Sequence, residues 1–188
     1  MKDYIRILGL LAASVLAPYA SAGTLVESWE SNSIINLGGN GHWVVPSEIA
    51  KGVSLAYSNK FATNGKRSLA VTTGGGWSQV LRYGENDTDR RAVVELHKLL
   101  ANNLTLNFDI RVPDNVEWVK IEIAMQGSAL PWTPLTGNAM LPGQHTQRFI
   151  IPPKIQAEIQ KCDNWFQIIL IVNTSGPTTV YIDNICVE

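Results

Sequence analysis

Charge is scarce in this sequence. Asp, Glu, Lys and Arg make up 16% of its 188 residues, against roughly 25% in an average soluble protein. The signs nearly cancel, with 15 basic residues against 16 acidic ones. No basic stripe is present to neutralise phosphates, which excludes nucleic acids and anionic membranes as electrostatic partners. Histidine is equally sparse, and His42, His97 and His145 are too scattered for acid–base or metal spacing. No His-Glu-x-x-His motif and no nucleophile elbow occur. Gly65-Lys66-Arg67-Ser68 lacks the upstream glycine and the Lys-Ser/Thr pair of a phosphate loop, so it reads as a turn. The longest apolar run, Ile7 to Ala17, has eleven residues, short of the roughly 20 that span a bilayer. Internal repeats, linkers and low-complexity tracts are absent, and a hydrophobic content of 45% excludes disorder.

The apolar run has another use. Lys2 and Arg6 precede it, Pro18 breaks it, and Ala20-Ser21-Ala22 offers a small-x-small cleavage site before Gly23. Residues 1–22 are therefore expected to be a signal peptide, with residues 23–188 exported as one domain to the periplasm or the medium. No cysteine follows the cleavage point to carry a lipid anchor. The remaining chain is long enough to bury a hydrophobic core, and its expected working form is a monomer.

Two cysteines, Cys162 and Cys186, would then meet an oxidising compartment, where pairs usually form disulfides. If Asn164–Asn173 and Thr178–Val187 form a hairpin, Cys186 lies opposite Trp165, within a turn of Cys162. A disulfide is the expectation; free thiols or a metal pair is the alternative, the latter lacking companion ligands at suitable spacing.

What is abundant is the vocabulary of strands and turns: Gly, Val, Ile, Thr, Asn and six Trp. Leu104, Leu106, Phe108, Ile110 and Val112 alternate with Thr105, Asn107, Asp109 and Arg111. After the turn Pro113-Asp114-Asn115, Val119, Ile121, Ile123 and Met125 alternate with Trp118, Lys120, Glu122, Ala124 and Gln126. Each run has one apolar and one decorated face, as a strand of a two-sheet sandwich requires. Further strands are expected at Thr24–Glu30, His42–Val45, Val53–Ser58, Ser68–Thr73, Trp77–Tyr83, Thr146–Ile151, Phe166–Asn173 and Thr179–Val187. Helical spacing is confined to Asp89–Ala101, with Asp87 or Asp89 as cap, and to Pro153–Gln160. The predicted fold is all-β, a jelly-roll β-sandwich of two antiparallel sheets with one or two short helices.

Three segments carry a resemblance: Trp29-Glu30-Ser31, Asn64-Gly65-Lys66-Arg67-Ser68-Leu69, and Val180-Tyr181-Ile182-Asp183-Asn184-Ile185. With Leu106-Asn107-Phe108-Asp109-Ile110, the strand after Trp118 and the late Trp165 segment, the pattern spans nearly all of residues 24–187. It is similar to the β-jelly-roll carbohydrate-binding modules of bacterial glycanases, the galactose-binding-like sandwiches, with the difference that no attached enzyme is expected. The resemblance implies a structural calcium ion tying the first strand to the last. Glu30 and Asp183 would supply carboxylates and the turn at Asn64 and Lys66 would supply carbonyls, a donor set that suits a hard cation. The blander reading leaves Asp183 capping a turn and Glu30 in solvent.

A sugar offers apolar C–H faces and a rim of hydroxyls, which aromatic rings and polar side chains answer. Trp118, Lys120, Glu122 and Gln126 on one decorated face have that mixture, and Asn107, Asp109 and Arg111 are expected to extend it from a neighbouring strand. Trp77, after three glycines, and Trp132, between two prolines, are loop aromatics placed to edge the same cleft. Trp29, Trp43 and Trp165 read as core, and His97 as a surface residue. The expected function is binding of a polysaccharide without cutting it. Two alternatives stay open: a small jelly-roll glycoside hydrolase or lyase working through Glu122 and Asp109, and an exported adhesion or matrix protein that binds another protein.

Overall fold

The computed structural model describes residues 23–39, 41–46, 52–84 and 91–188, with side chains from residue 96 onward in its first helix. The expected leader and the expected caps Asp87 and Asp89 lie outside the described residues. In chain order the strands are β1 (Thr24–Glu27), β2 (Trp43–Val44), β3 (Ser54–Ser58), β4 (Ser68–Thr73), β5 (Gly76–Tyr83), β6 (Thr105–Val112), β7 (Val119–Gly127), β8 (Thr133–Met140), β9 (Gly143–Ile150), β10 (Phe166–Thr174) and β11 (Thr178–Val187). One antiparallel sheet has the order β3-β4-β11-β6-β9, with β1 also on β11, and the other has the order β2-β5-β10-β7-β8. This is the jelly-roll sandwich that the period-two patterning requires.

The alternating apolar residues meet between the sheets. Leu106, Phe108 and Ile110 of β6 and Val180 and Ile182 of β11 face Ile121, Ile123 and Met125 of β7 and Leu170 and Val172 of β10, all essentially without solvent contact. Phe108 and Phe149 meet edge to face with centroids 5.6 Å apart. Strand β8 was not legible in the sequence because Pro134 and Gly137 break its pattern; as an edge strand it tolerates a proline that donates nothing to the ladder.

Two expected neighbours are separated. The turn after Val112 carries the chain from β6 in one sheet to β7 in the other, and the turn after Thr174 does the same between β10 and β11. The expected β10–β11 hairpin therefore does not form, and the disulfide expected from it does not either. Cys162 lies buried against Gly127 and Phe166, with its thiol on the Glu158 carbonyl, while Cys186 pairs in register with Asn107. Both are free thiols.

Strand β11 is shared along one edge. β4 pairs with it as far as Ile182, and β1 takes over from Ile185. Asp183 and Asn184 sit at the changeover, where Asn184 adopts a left-handed φ of 48° and the ladder to β6 slips its register.

Helix α1 (Arg91–Asn102) packs on α2 (Pro153–Gln160) through Leu96, Leu100 and Ile159. Gln156 and Gln160 of α2 donate to the carbonyls of Asn103 and Ala101 (2.6 and 3.2 Å), satisfying orphan acceptors at the end of α1. His97 is not a surface residue: it bonds the Ile159 carbonyl and packs 6.0 Å from Phe166 between centroids. Among the described residues no helix is long and apolar enough to cross a membrane.

Glu27 closes β1 by accepting the N–H groups of Ser28 and Trp29 at 2.9 and 2.6 Å. Burial pushes its carboxyl above the ordinary 4.5, and these hydrogen bonds offset that only in part. At pH values below 4.5 the group is protonated whether the chain is folded or not. Above it the unfolded chain gives up its proton first, so this contribution to stability is lost as pH rises through the folded value. Glu27→Gln should flatten that part of a melting-temperature profile; an unchanged profile would show that Glu27 titrates alike in the folded and the unfolded chain.

Candidate functional site

The outward residues of the five-stranded sheet form ordered rows. Register places Trp77, Asn173, Lys120 and Ala139 in one row across β5, β10, β7 and β8, and Ile171, Glu122 and Thr136 in the next, beside Gln79. Arg82, Ile169, Ala124 and Pro134 follow, and then Gln167 with Gln126, beside the end of β8 that Trp132 precedes. Ala124, Ile169 and Ile171 make an apolar floor that is at most 1% exposed. The polar side chains above it are tied to one another. Trp77 Nε1–H donates to Glu122 Oε2 (3.2 Å), and Lys120 Nζ approaches Glu122 Oε1 (3.5 Å). Arg82 donates to Gln79 (3.1 Å) and Gln167 to Gln126 (3.2 Å).

On this face two indoles stand in solvent, Trp77 at 49% and Trp132 at 41% exposure. Trp77 can reach over the face because Gly75 and Gly76 take left-handed φ values of 100° and 75°, which side chains rarely allow. Trp118 is half-buried; its main chain is pinned to Ser175, whose hydroxyl accepts its N–H and whose N–H meets its carbonyl. A depression at this end is lined by Trp118, Lys120, Gly137, Asn138, Ala139 and Asn173. It exists beside a register slip between β7 and β8. Gly137 is required there, since a Cβ would lie 2.6 Å from the Ile121 carbonyl oxygen.

A second cluster ties the ends of the chain to the turn before β4. Glu30 Oε1 accepts the N–H groups of Lys66 and Arg67 at 2.7 and 2.6 Å, which holds its carboxyl below the usual range. Asp183 Oδ2 accepts the N–H groups of Thr63 and Asn64 at 2.6 and 2.9 Å. Asp183 is fully buried, and its Oδ1 has no hydrogen-bond partner. Among the described residues no three His, Cys, Asp or Glu side chains converge as a metal site.

With this geometry, solved structures of the same architecture can be compared. A carbohydrate-binding module of the β-sandwich superfamily, described for its promiscuous specificity, superposes with a TM-score of 0.52 at 15% identity, over 87% of this chain and 63% of its own. The C-terminal family 22 carbohydrate-binding module of Clostridium thermocellum Xyn10B gives 0.53 at 13% identity, over 89% and 95%. The CBM22-1 xylan-binding domain of Paenibacillus barcinonensis Xyn10C gives 0.51 at 12%, over 90% and 96%. The chain folds as these modules do. No protein-family model and no curated protein matches the sequence.

The face brings together Trp77, Trp118, Lys120, Glu122, Gln126 and Trp132 but leaves out two expected members. Asn107 and Arg111 lie on β6, in the other sheet. Asn107 is buried and donates toward Cys186 Sγ (3.9 Å), and Arg111 is exposed opposite Tyr181. Asp109 goes with them, accepting hydroxyls of Thr63 and Thr146 at 2.7 and 2.6 Å. Alternation marks faces but not which sheet a strand joins, so β6 could not be told from a neighbour of β7. For the same reason Glu122 and Asp109 stand on opposite outer faces and form no carboxylate pair. Trp165 is also corrected, since it precedes β10 and is 46% exposed, whereas Trp29 and Trp43 are core. Gln79, Arg82, Asn138, Asn173 and Gln167 were missed because only cross-strand register brings them to the face.

Proposed function

We propose that this protein binds a polysaccharide, without cutting it, on the outer face of the five-stranded sheet, after export and as a single copy. The observation that carries the reading is the set of Trp77, Trp118 and Trp132 around polar side chains already fixed by one another. Stacking of pyranose faces on indoles would supply the apolar contact, and the amides, Lys120 and Glu122 would orient hydroxyls. The three solved modules lend support as sugar-binding proteins of the same fold. Catalysis through Glu122 and Asp109 is disfavoured by their placement on opposite faces.

Native gels containing glucan, mannan, xylan or galactan test the proposal. Retardation in one or two of them is expected, and retardation in none would overturn it. Trp77→Ala and Trp118→Ala should each weaken binding about tenfold, near 1.4 kcal/mol, with little change in melting temperature for Trp77, which is half in solvent. Full affinity in both variants would remove the stacking mechanism.

A structural calcium ion is a second part of the proposal, and it is supported by Asp183 Oδ1, a buried carboxylate oxygen with no donor. Asp183 and Glu30 each use one oxygen to hold the turn. Their remaining oxygens, with main-chain carbonyls at Asn64 and Lys66, are the donor chemistry calcium takes. The bound ion would neutralise the buried carboxylate and cross-link the two ends of the chain.

A further inference from the structure

We propose that the polysaccharide bound on this face carries carboxylate groups, as a uronic-acid polymer does, and that one carboxylate enters the depression between Trp118, Lys120, Asn138 and Asn173. The inference rests on the carbohydrate-binding reading and narrows its substrate class. The strands of the five-stranded sheet hold three charged residues, Arg82, Lys120 and Glu122. Among the described residues that line the depression, one is charged, and it is a cation.

Donor and acceptor chemistry argues for an anion. A sugar hydroxyl gives and accepts hydrogen bonds, whereas an ammonium group only donates. Lys120 offers three N–H groups; Asn138 and Asn173 offer carboxamide N–H groups, which no other described side chain or main-chain group engages. A carboxylate accepts at both oxygens, and charge-assisted bonds of this kind are roughly twice as strong as neutral ones. Glu122 does not cancel the site. Its Oε1 is 3.5 Å from Lys120 Nζ, and its Oε2 accepts the Trp77 indole. It thereby aims both groups and leaves two ammonium protons for a ligand. The Trp118 indole on the same rim can stack on the sugar ring that bears the acid.

Isothermal titration with sodium polygalacturonate and with glucuronoxylan, with each polymer after reduction of its carboxyl groups to alcohols, and with neutral xylan tests this. The wild-type protein should bind one carboxylate polymer, polygalacturonate or glucuronoxylan, at least about tenfold more tightly than the reduced or neutral glycans. The preference should weaken with added salt. Lys120→Met should abolish the preference without lowering the melting temperature, so that whatever affinity the variant retains is the same for charged and neutral glycans. Equal affinity for charged and uncharged polymers would overturn the inference and leave the carbohydrate-binding reading standing. A preference that survives Lys120→Met would overturn the assignment to this depression. Absence of binding to any glycan would overturn both readings together.

Discussion

Asp183→Ala is expected to lower the melting temperature by about 10 °C. Asp183 lies where β1 relieves β4 along β11, and its carboxylate fastens the Thr63–Asn64 turn to that point. Removing it strands two N–H groups that were bonded to a charge, a loss of about 3 kcal/mol. For a chain of this size each kcal/mol moves the midpoint by roughly 2–4 °C. Asp183→Asn keeps one acceptor oxygen and should cost less. The same pair of variants tests the ion. Calcium chloride should raise the wild-type midpoint and chelator lower it, while Asp183→Asn should respond to neither. A wild-type midpoint indifferent to both reagents would end the calcium proposal, and an unchanged midpoint in Asp183→Ala would show that the turn is held by something else.

Trp29→Ala should be more damaging, at about 4 kcal/mol, a large part of the 5–15 kcal/mol that holds a typical domain together. The indole is wholly buried and packs 5.6 Å from the Trp43 ring, which in turn meets Tyr83 edge-on at 5.1 Å. Nothing smaller fills that space. The backbone adds a second term, since Trp29 holds a φ of 59°, a left-handed conformation that is strained for a bulky residue. Trp29→Gly creates nearly the same cavity but relaxes that strain, so it should be more stable than Trp29→Ala by about 1 kcal/mol. Equal stability of the two, measured by denaturant unfolding, would show that the strain is relieved by neighbouring bonds. Cooperative unfolding of Trp29→Ala at the wild-type midpoint would remove Trp29 from the core.

The two largest effects fall on residues whose weight the sequence reveals unevenly. Trp29 could be read as core because a tryptophan of a small β-sandwich is more often buried than exposed. Its positive φ could not, because conformation at a strand end depends on where Glu27 finds its donors. The decorated faces of β6 and β7 were equally legible, down to the residues on each. Their assignment to opposite sides of the sandwich was not, because a crossover turn and a hairpin turn look alike when both contain Pro, Asp and Asn. The same ambiguity produced the expected hairpin of β10 and β11 and, through it, the expected disulfide. The exposure of Trp77 and Trp132 was legible from their glycine and proline neighbours. The grip of Glu122 on Trp77, two strands away, is a matter of register alone.

Thr24 pairs with Val187, so the chain enters and leaves the described sandwich side by side on the six-stranded sheet. Trp77, Trp118 and Trp132 lie on the outer face of the other sheet. A tether attached at either residue 23 or residue 188, whether to a bead, a fluorophore or another polypeptide, therefore joins the protein on the sheet that does not carry Trp77, Trp118 and Trp132. Immobilised in this way from either end, each copy is held at the same place in the fold and should keep the face with Trp77, Trp118 and Trp132 clear of its support.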